Sequence, residues 1–154
     1  MAANQQERPV SIVIAAMGGE GGGVLTTWLV SAARKANLPV QATSVPGVAQ
    51  RTGATTYYVE IVPKTYEELG DREPVMDLYP GPGDIDLMIS TELLETGRAL
   101  EKGFISPVRT TLIGSTHRVY TLAEKMAMGD ARYDGDKILE AARQMAKRAI
   151  LFDI

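Results

Sequence analysis

Five glycines within the six positions 18 to 23 are the first feature of the 154-residue sequence whose residue types suggest chemistry. The run reads MGGEGGGVL, and Glu20 is its one charged residue. At the start of a helix, glycines leave backbone N–H groups accessible, and the helix dipole favours an anionic group there. The run therefore predicts either an anion-binding loop or a tight turn whose glycines only allow close contact between helix and sheet.

The two glycine motifs that bind nucleotides both fail in this loop. The dinucleotide fingerprint G-x-G-x-x-G, begun at Gly19, meets Val24 where its last glycine should stand. The P-loop pattern, begun at Gly18, has apolar residues in place of its lysine and hydroxyl residue, which disfavours ATP chemistry. An ionised Glu20 repels a nearby phosphate, unless its carboxylate occupies the loop amides or holds a partner's arginine or amide.

A second candidate loop, GVAQRTG, spans residues 47–53. Arg51 can anchor a phosphate or carboxylate with two parallel hydrogen bonds, or form an ordinary salt bridge to Glu20 or another acid. Because strand ends and glycine loops of an open α/β sheet line one crevice, we expect the two loops to meet. The predicted binding residues are Gly18, Gly19, Glu20, Gly21, Gly22, Gly23, Arg51, Thr52 and Gly53; none is predicted to be catalytic or to bind a metal.

Hydrophobic periodicity predicts the elements that position these loops. The predicted strands are 10–16, 40–45, 54–62, 85–90, 111–113 and the final run AILFDI, and the predicted helices are 24–36, 92–102, 122–128 and 135–148. The sequence of residues 63–84 predicts a long surface loop, which we call the excursion. We expect Ser90 or Thr91 to cap the second helix and Asp134 to cap the last one.

Two helices have a predicted inward face, given by apolar residues at steps of three and four. The inward residues are Val24, Leu25, Trp28, Leu29, Ala32, Ala33 and Ala36 in the first helix, and Ile138, Leu139, Ala142, Met145 and Ala146 in the last. Tyr57 and Tyr58, adjacent on a strand, are expected on opposite faces of the sheet.

The order strand, glycine turn, helix, strand predicts an α/β domain. We expect a three-layer, Rossmann-like open sheet that is mostly parallel, with helices on both faces. The length suits one domain, residues 1–154. Because a native domain rarely stops inside a buried strand, we expect the polypeptide to continue beyond Ile154.

Composition narrows the classes of function. The chain has no cysteine, so it cannot supply thiolates to an iron–sulfur cluster, and its single histidine excludes a multi-histidine metal site. A net charge of −3 without a basic run makes nucleic acid an unexpected partner. No apolar segment is long enough to span a membrane and no signal peptide is visible, which predicts a cytoplasmic protein.

Two stretches together resemble a known family. They are MGGEGGGVLTTWLVSAARKANLPVQATSVPGVAQRTGATTYYVEI, residues 17–61, and DIDLMISTELLETGRAL, residues 84–100. Their order of strand, G-x-G-G-Q-G, helix, strand, G-x-x-x-R-G/T-G loop and strand is similar to the gamma-type domain of 2-oxoacid:ferredoxin oxidoreductases, most closely the beta subunit of the indolepyruvate type. The chain departs at Glu20, where the pattern has glutamine, and at Met17, where it often has a small residue.

The resemblance implies a non-catalytic, gamma-type domain of a thiamine-dependent indolepyruvate:ferredoxin oxidoreductase. It implies that thiamine diphosphate and iron–sulfur clusters lie on a large catalytic subunit or on other domains, that ferredoxin is met through the complex, and that this chain is inactive alone. Coenzyme A is a possible ligand of the two loops. The alternative left open by the residues is a free-standing Rossmann-like nucleotide-binding module.

Overall fold

The structure is a computed structural model that describes residues 8–47, 53–70, 72–128 and 132–153. Its strands and helices follow one another along the chain as β1 (Val10–Ala16), α1 (Gly22–Lys35), β2 (Val40–Pro46), β3 (Thr55–Ile61), α2 (Tyr66–Leu69), β4 (Leu87–Ser90), α3 (Leu93–Glu101), β5 (Thr111–Ser115), α4 (Leu122–Met126), α5 (Gly135–Met145) and β6 (Arg148–Phe152). The final run of the sequence therefore contains a strand, as predicted.

One six-stranded sheet runs through the described residues in the order β2-β3-β1-β4-β5-β6. Strands β1, β4, β5 and β6 pair in parallel, whereas β3 is antiparallel to both of its neighbours, β1 and β2. The short link between β2 and β3 explains this orientation, because parallel neighbours need a long crossover connection. The prediction of a mostly parallel α/β sheet with helices on both faces is confirmed.

Side chains alternate between two apolar layers, as the pleat of a strand requires. Ile12, Ile14 and Val59 face α1, whereas the opposite layer packs beneath α3 and α5, and its buried members include Val13, Met88, Leu112, Ala99 and Ala142. Tyr57 belongs to the α1 layer and Tyr58 to the other, as predicted. The sheet thus buries a core on each side.

The excursion between β3 and β4 covers the part of the sheet that α3 does not reach. The backbone N–H of Asp77 donates to the buried carboxylate of Glu60 at 2.6 Å, and the side chains of Gln41 and Thr43 donate to the backbone carbonyls of residues 77 and 78. It also contains the short helix α2, whose N-terminus is held by a capping box between Thr65 and Glu68.

The predicted inward face of α1 is partly wrong. Leu25, Leu29 and Ala33 face the sheet as predicted, and Gly22 and Thr26, which were not predicted to do so, are buried as well. Val24 and Trp28 are 53% and 67% exposed, and Ala32 and Ala36 are exposed as well. The helix lies so close to β1 that only small side chains fit beneath its first turn, so hydrophobicity alone placed Val24 and Trp28 wrongly.

Several predicted boundaries and caps also need correction. Helix α5 ends at Met145 rather than 148, because Arg148 already begins β6, and Met145 is 42% exposed instead of buried. Asp134 caps this helix as predicted, accepting from two backbone amides. Helix α3 is capped by Glu92 rather than by Ser90 or Thr91. In addition, β5 extends to residue 115 and α4 ends at 126. Within the described residues, no helix has the length and apolar character needed to cross a bilayer.

Candidate anion-binding site

The glycine loop turns the chain from the carboxyl end of β1 into α1. Gly19 and Gly21 have φ angles of 91° and 78°, in the left-handed region that side chains disfavour. Between them, the backbone N–H of Glu20 donates to the carbonyl of Met17 at 3.1 Å. Residues 18–21 are exposed. The loop is thus an open, tightly folded turn at the end of a parallel strand.

Gly22 is required by close packing rather than by a φ angle. A Cβ atom at this position would lie 2.6 Å from the Cβ of Ala16 and 2.9 Å from the ring of Tyr57. At Gly23 a Cβ would lie 3.2 Å from the hydroxyl of Tyr57. The first turn of α1 therefore rests directly on the Tyr57 side chain. Of the two sequence-based interpretations of the glycines, close helix-to-sheet contact applies to Gly22.

The carboxylate of Glu20 is turned back into its own loop. One oxygen, Oε2, accepts from the backbone N–H of Met17 at 3.1 Å and from the hydroxyl of Thr91, which follows β4. These bonds tie the loop to the end of the neighbouring strand. Glu20 therefore holds the loop in place and does not occupy the N-terminus of α1.

The N-terminus of α1 has no side-chain cap. Gly21 is the N-cap residue, no side chain accepts from the first amides, and the first turn contains no acid. The hydroxyls of Thr26 and Thr27 donate to the carbonyls of Gly22 and Gly23 and so do not take up these amides. Uncapped amides at the positive end of a helix dipole suit an anionic group such as a phosphate.

The end of the second candidate loop, at Gly53, lies beside the glycine loop. A Cβ at Gly18 would have the carbonyl oxygen of Gly53 as its nearest contact, at 3.8 Å. Gly47 and Ala54 close the base of this loop, where a Cβ at Gly47 would come within 2.0 Å of the Ala54 carbonyl oxygen. Gly53 has a φ angle of 78°. The predicted residues Arg51 and Thr52 lie outside the described residues.

Glu92 supports the adjoining edge of the sheet. It is 2% exposed, and its carboxylate accepts from the backbone amides of Leu94, Glu95 and Val119 at 2.8, 3.2 and 2.9 Å. Burial raises the pKa of the Glu92 carboxyl, although these three hydrogen bonds act in the opposite direction. Every contact of this carboxylate is internal, so its role is to join α3 to the segment after β5.

Tyr57 and Thr91 are the side chains beside the loop that sequence reasoning did not select. The sequence predicts only that Tyr57 and Tyr58 lie on opposite faces of the sheet, and it offers Thr91 only as a candidate helix cap. Strand alternation placed Tyr57 on one face, but only the antiparallel pairing of Tyr57 with Ile14 of β1 brings its ring below α1. Nothing in the local sequence around Thr91 indicates its bond to Glu20, 71 positions away.

Charged residues beside these loops are also paired. The carboxylate of Glu95 forms an ion pair with Arg98 next to a cavity of about 20 Å³ whose wall includes Ala54 and Thr56 at the start of β3. At the opposite edge of the sheet, Asp86 binds Arg109 at 2.8 Å. Among the described residues, no group of three or more His, Asp or Glu side chains could hold a metal ion.

Comparisons with known proteins agree with this architecture. The family model described as pyruvate ferredoxin/flavodoxin oxidoreductase matches residues 11–150, which is most of the chain. No curated protein matches the sequence. Among solved structures, the chain is similar to the 2-oxoglutarate:ferredoxin oxidoreductase of Magnetococcus marinus, solved with 2-oxoglutarate, coenzyme A and succinyl-CoA bound, with 15% identity and a TM-score of 0.57.

That match covers 96% of this chain and 20% of the Magnetococcus chain, so this sequence corresponds in length to about one fifth of it. A second similar structure is the pyruvate oxidoreductase subunit PORC of Thermotoga maritima, with 20% identity and a TM-score of 0.49. Here 77% of this chain and 56% of the PORC chain are covered.

Proposed function

Because this chain belongs to the pyruvate ferredoxin/flavodoxin oxidoreductase family, we propose that it is a non-catalytic subunit or domain of an indolepyruvate:ferredoxin oxidoreductase. The family match over residues 11–150 is the observation that carries the proposal. The complex would decarboxylate an arylpyruvate, release CO₂, transfer the acyl group to coenzyme A and pass two electrons to ferredoxin. The indolepyruvate assignment rests on the sequence resemblance in residues 17–61 and 84–100.

The division of labour follows from the composition of the chain. Without cysteine it has no thiolate for an iron–sulfur cluster, so the clusters belong to a partner subunit or domain. The sequence resemblance, and not the composition, assigns thiamine diphosphate to the same partner. In this proposal the chain is inactive by itself, works in the cytoplasm, and is a gamma-type domain of the complex.

Coenzyme A is the ligand proposed for the glycine loop. Its phosphates suit the uncapped amides at the start of α1, and residues 18–21 leave the approach open. When bound, coenzyme A supplies the thiol that accepts the acyl group. The loop's own contribution is to hold a phosphate group, while Tyr57 supports the first turn of α1 and the bonds of Glu20 hold the loop against Thr91.

A free-standing dinucleotide-binding module is the less favoured alternative. In the doubly wound dinucleotide fold, the second strand lies beside the first and its end carries an acid for the ribose hydroxyl. Here β3 lies between β1 and β2, and β2 ends in Ser44, Val45 and Pro46, which supply no carboxylate. The strand order and this sequence both depart from what a dinucleotide would need.

Replacing Glu20 with glutamine should strengthen coenzyme A binding by about three- to tenfold. The amide oxygen of glutamine can still accept from Met17 and Thr91, so the loop keeps its shape while a negative charge near the phosphate is removed. Isothermal titration of the chain with coenzyme A, NAD, FAD and ATP measures this effect and separates the two functions, because preference for a dinucleotide would favour the alternative.

Glu73→Gln is the matched control for that titration. Glu73 is exposed in the excursion, so this variant changes the net charge equally without touching the loop. Tighter binding in both variants would show that only overall charge matters. No binding of coenzyme A to any form would remove the glycine loop from the proposal, leaving the subunit assignment to the reconstitution experiment.

A further inference from the structure

Among the described residues, the helices that pack on strands β4, β5 and β6 lie on only one of their two faces. The described helices that pack on them are α3 and α5, and both belong to the layer that contains Met88 and Leu112. Helix α1 lies on the other side of the sheet, where it packs on β1, β2 and β3. We call the remaining surface the open face. By strand register its members are Leu87, Ile89, Thr111, Ile113, Ser115, Arg148, Ile150 and Phe152. Ser115 is buried, and Leu87 and Ile89 border the α1 layer.

The open face has the chemistry of a buried surface. Parallel strands occur almost only in sheets that are covered on both faces. Leu87, Ile89, Ile113 and Ile150 are half-buried aliphatic residues on adjacent strands, and Phe152 is 46% exposed. The outer two of these three strands lie roughly 10 Å apart, which is about the diameter of one helix with its side chains. One helix lying beside α1 would fill this width.

Charge distinguishes one end of the open face from the other. Arg148 begins β6 and is exposed, and it lies at the amino end of the parallel strands. No carboxylate stands on the open face among the described residues. A covering helix with a carboxylate at this end would therefore pair with Arg148.

A second copy of this chain fits this charge pattern poorly. Two copies could place each α1 on the other's open face only around a two-fold axis that runs parallel to the strands. Such an axis places the amino edge of one sheet against the amino edge of the other. Helix α1 crosses back from the end of β1 to the start of β2, so its basic last turn, Arg34 and Lys35, lies at the same edge as Arg148. Three cations would then meet, which disfavours the dimer.

The exposed side of α1 favours a large partner. Trp28, the single tryptophan of the chain, is 67% exposed on the same side of the sheet as the open face, and Val24 is exposed one turn away. A lone covering helix would leave α1's outer surface in water, whereas a large subunit can contact both areas. Exposed tryptophans in such patches are typical centres of protein interfaces.

We infer that the large subunit of the oxidoreductase covers the open face with an amphipathic helix, whose aliphatic stripe packs on Ile113 and Ile150 and whose carboxylate pairs with Arg148. The outer surface of α1 around Trp28 completes the same interface. This inference rests on the proposed function and adds to it the side of the chain that meets the large subunit.

Titration of the cognate large subunit with variants of this chain tests the inference. Phe152→Glu should weaken binding at least tenfold, because it places a charge in the apolar contact. Arg148→Glu should weaken it several-fold, and this loss should shrink as salt is raised. Both positions are exposed, so circular dichroism should show native folding. Hydroxyl-radical footprinting of the wild-type complex should protect Trp28 and Phe152.

Val75→Glu is the control, since Val75 is 80% exposed in the excursion between β3 and β4. Wild-type affinity of Phe152→Glu, or an equal loss with Val75→Glu, would overturn the inference and leave the proposed function standing. Failure of the wild-type chain to bind the large subunit would overturn both. A dimer broken by Phe152→Glu, or protection of Phe152 in a longer natural form of the chain alone, would assign the open face to a second copy or to the chain itself.

Discussion

Replacing Glu92 with alanine should lower the free energy of unfolding by about 3 kcal/mol. The carboxylate is 2% exposed and accepts from three backbone amides, two in the first turn of α3 and one at Val119. Loss of the cap costs about 1 kcal/mol, and buried amides left without an acceptor add about 1–3 kcal/mol. Urea denaturation of the wild-type and variant chains measures the difference.

The pH dependence of the same variant gives a second signature. Because burial raises the pKa of Glu92 above 4.5, the folded state binds this proton more tightly than the unfolded state does. The contribution of this proton to the free energy of unfolding is fully present below pH 4.5 and is lost as pH rises through the raised pKa of Glu92. The Glu92→Ala chain should lack this component.

Glu101→Ala, an exposed change in the last turn of α3, is the control for the stability measurement and should alter the free energy of unfolding by less than about 0.5 kcal/mol. An equally small loss for Glu92→Ala would contradict the capping role.

Replacing Gly22 with alanine should destabilise the fold by about 2 kcal/mol, although alanine favours helices by about 1 kcal/mol over glycine. The added Cβ would stand 2.6 Å from Ala16 and 2.9 Å from the Tyr57 ring, and such overpacking typically costs 1–3 kcal/mol or more. Relief of the overlap would move the start of α1 away from β1. Coenzyme A binding at the loop should therefore fall together with stability, as measured by thermal unfolding and titration.

Gly23→Ala is the matched control, one position along the same helix. Its Cβ would have the hydroxyl of Tyr57 as its nearest contact, at 3.2 Å, with ring atoms at 3.6 and 3.7 Å, so the change in stability should stay within about 1 kcal/mol. Equal stability of the two variants would show that the contact between Gly22 and β1 is loose and that the glycine is not needed for packing.

The fold was largely predictable because its signals are local. Apolar runs bounded by glycine or proline located the strands, and Asp134 stood where a helix cap was expected. The predicted start of the first strand, at Val10, is confirmed. What periodicity could not give is the orientation of β3, because the same alternation of Thr55–Ile61 serves a parallel or an antiparallel strand.

The buried face of α1 was mispredicted for a physical reason. Hydrophobicity ranks Trp28 and Val24 above Gly22 and Thr26, but the close approach of α1 to β1 leaves room only for the smaller residues. Trp28 and Val24 point outward, where they suit a partner, whereas Leu25 and Leu29 pack on the sheet as predicted. A hydrophobic pattern indicates which residues tend to avoid water, but it does not indicate whether the chain itself or a partner covers them.

The sequence predicted where the candidate site lies but not the contacts that form it. The glycine run marked the loop, and the structure brings Gly18 beside Gly53 of the second loop. The bond from Thr91 to Glu20 and the Tyr57 ring below α1 depend on strand pairing between distant segments. Such contacts follow from the fold and have no signature in neighbouring residues.

Reconstitution of activity tests the central claim most directly. The cognate large subunit is assayed for indolepyruvate-dependent dye reduction with coenzyme A, alone and with this chain added. Pyruvate and 2-oxoglutarate are tested separately in place of indolepyruvate. The proposed function predicts that reduction appears only when this chain is present and that it is greatest with indolepyruvate. Activity of the large subunit that is unchanged when this chain is added would contradict it.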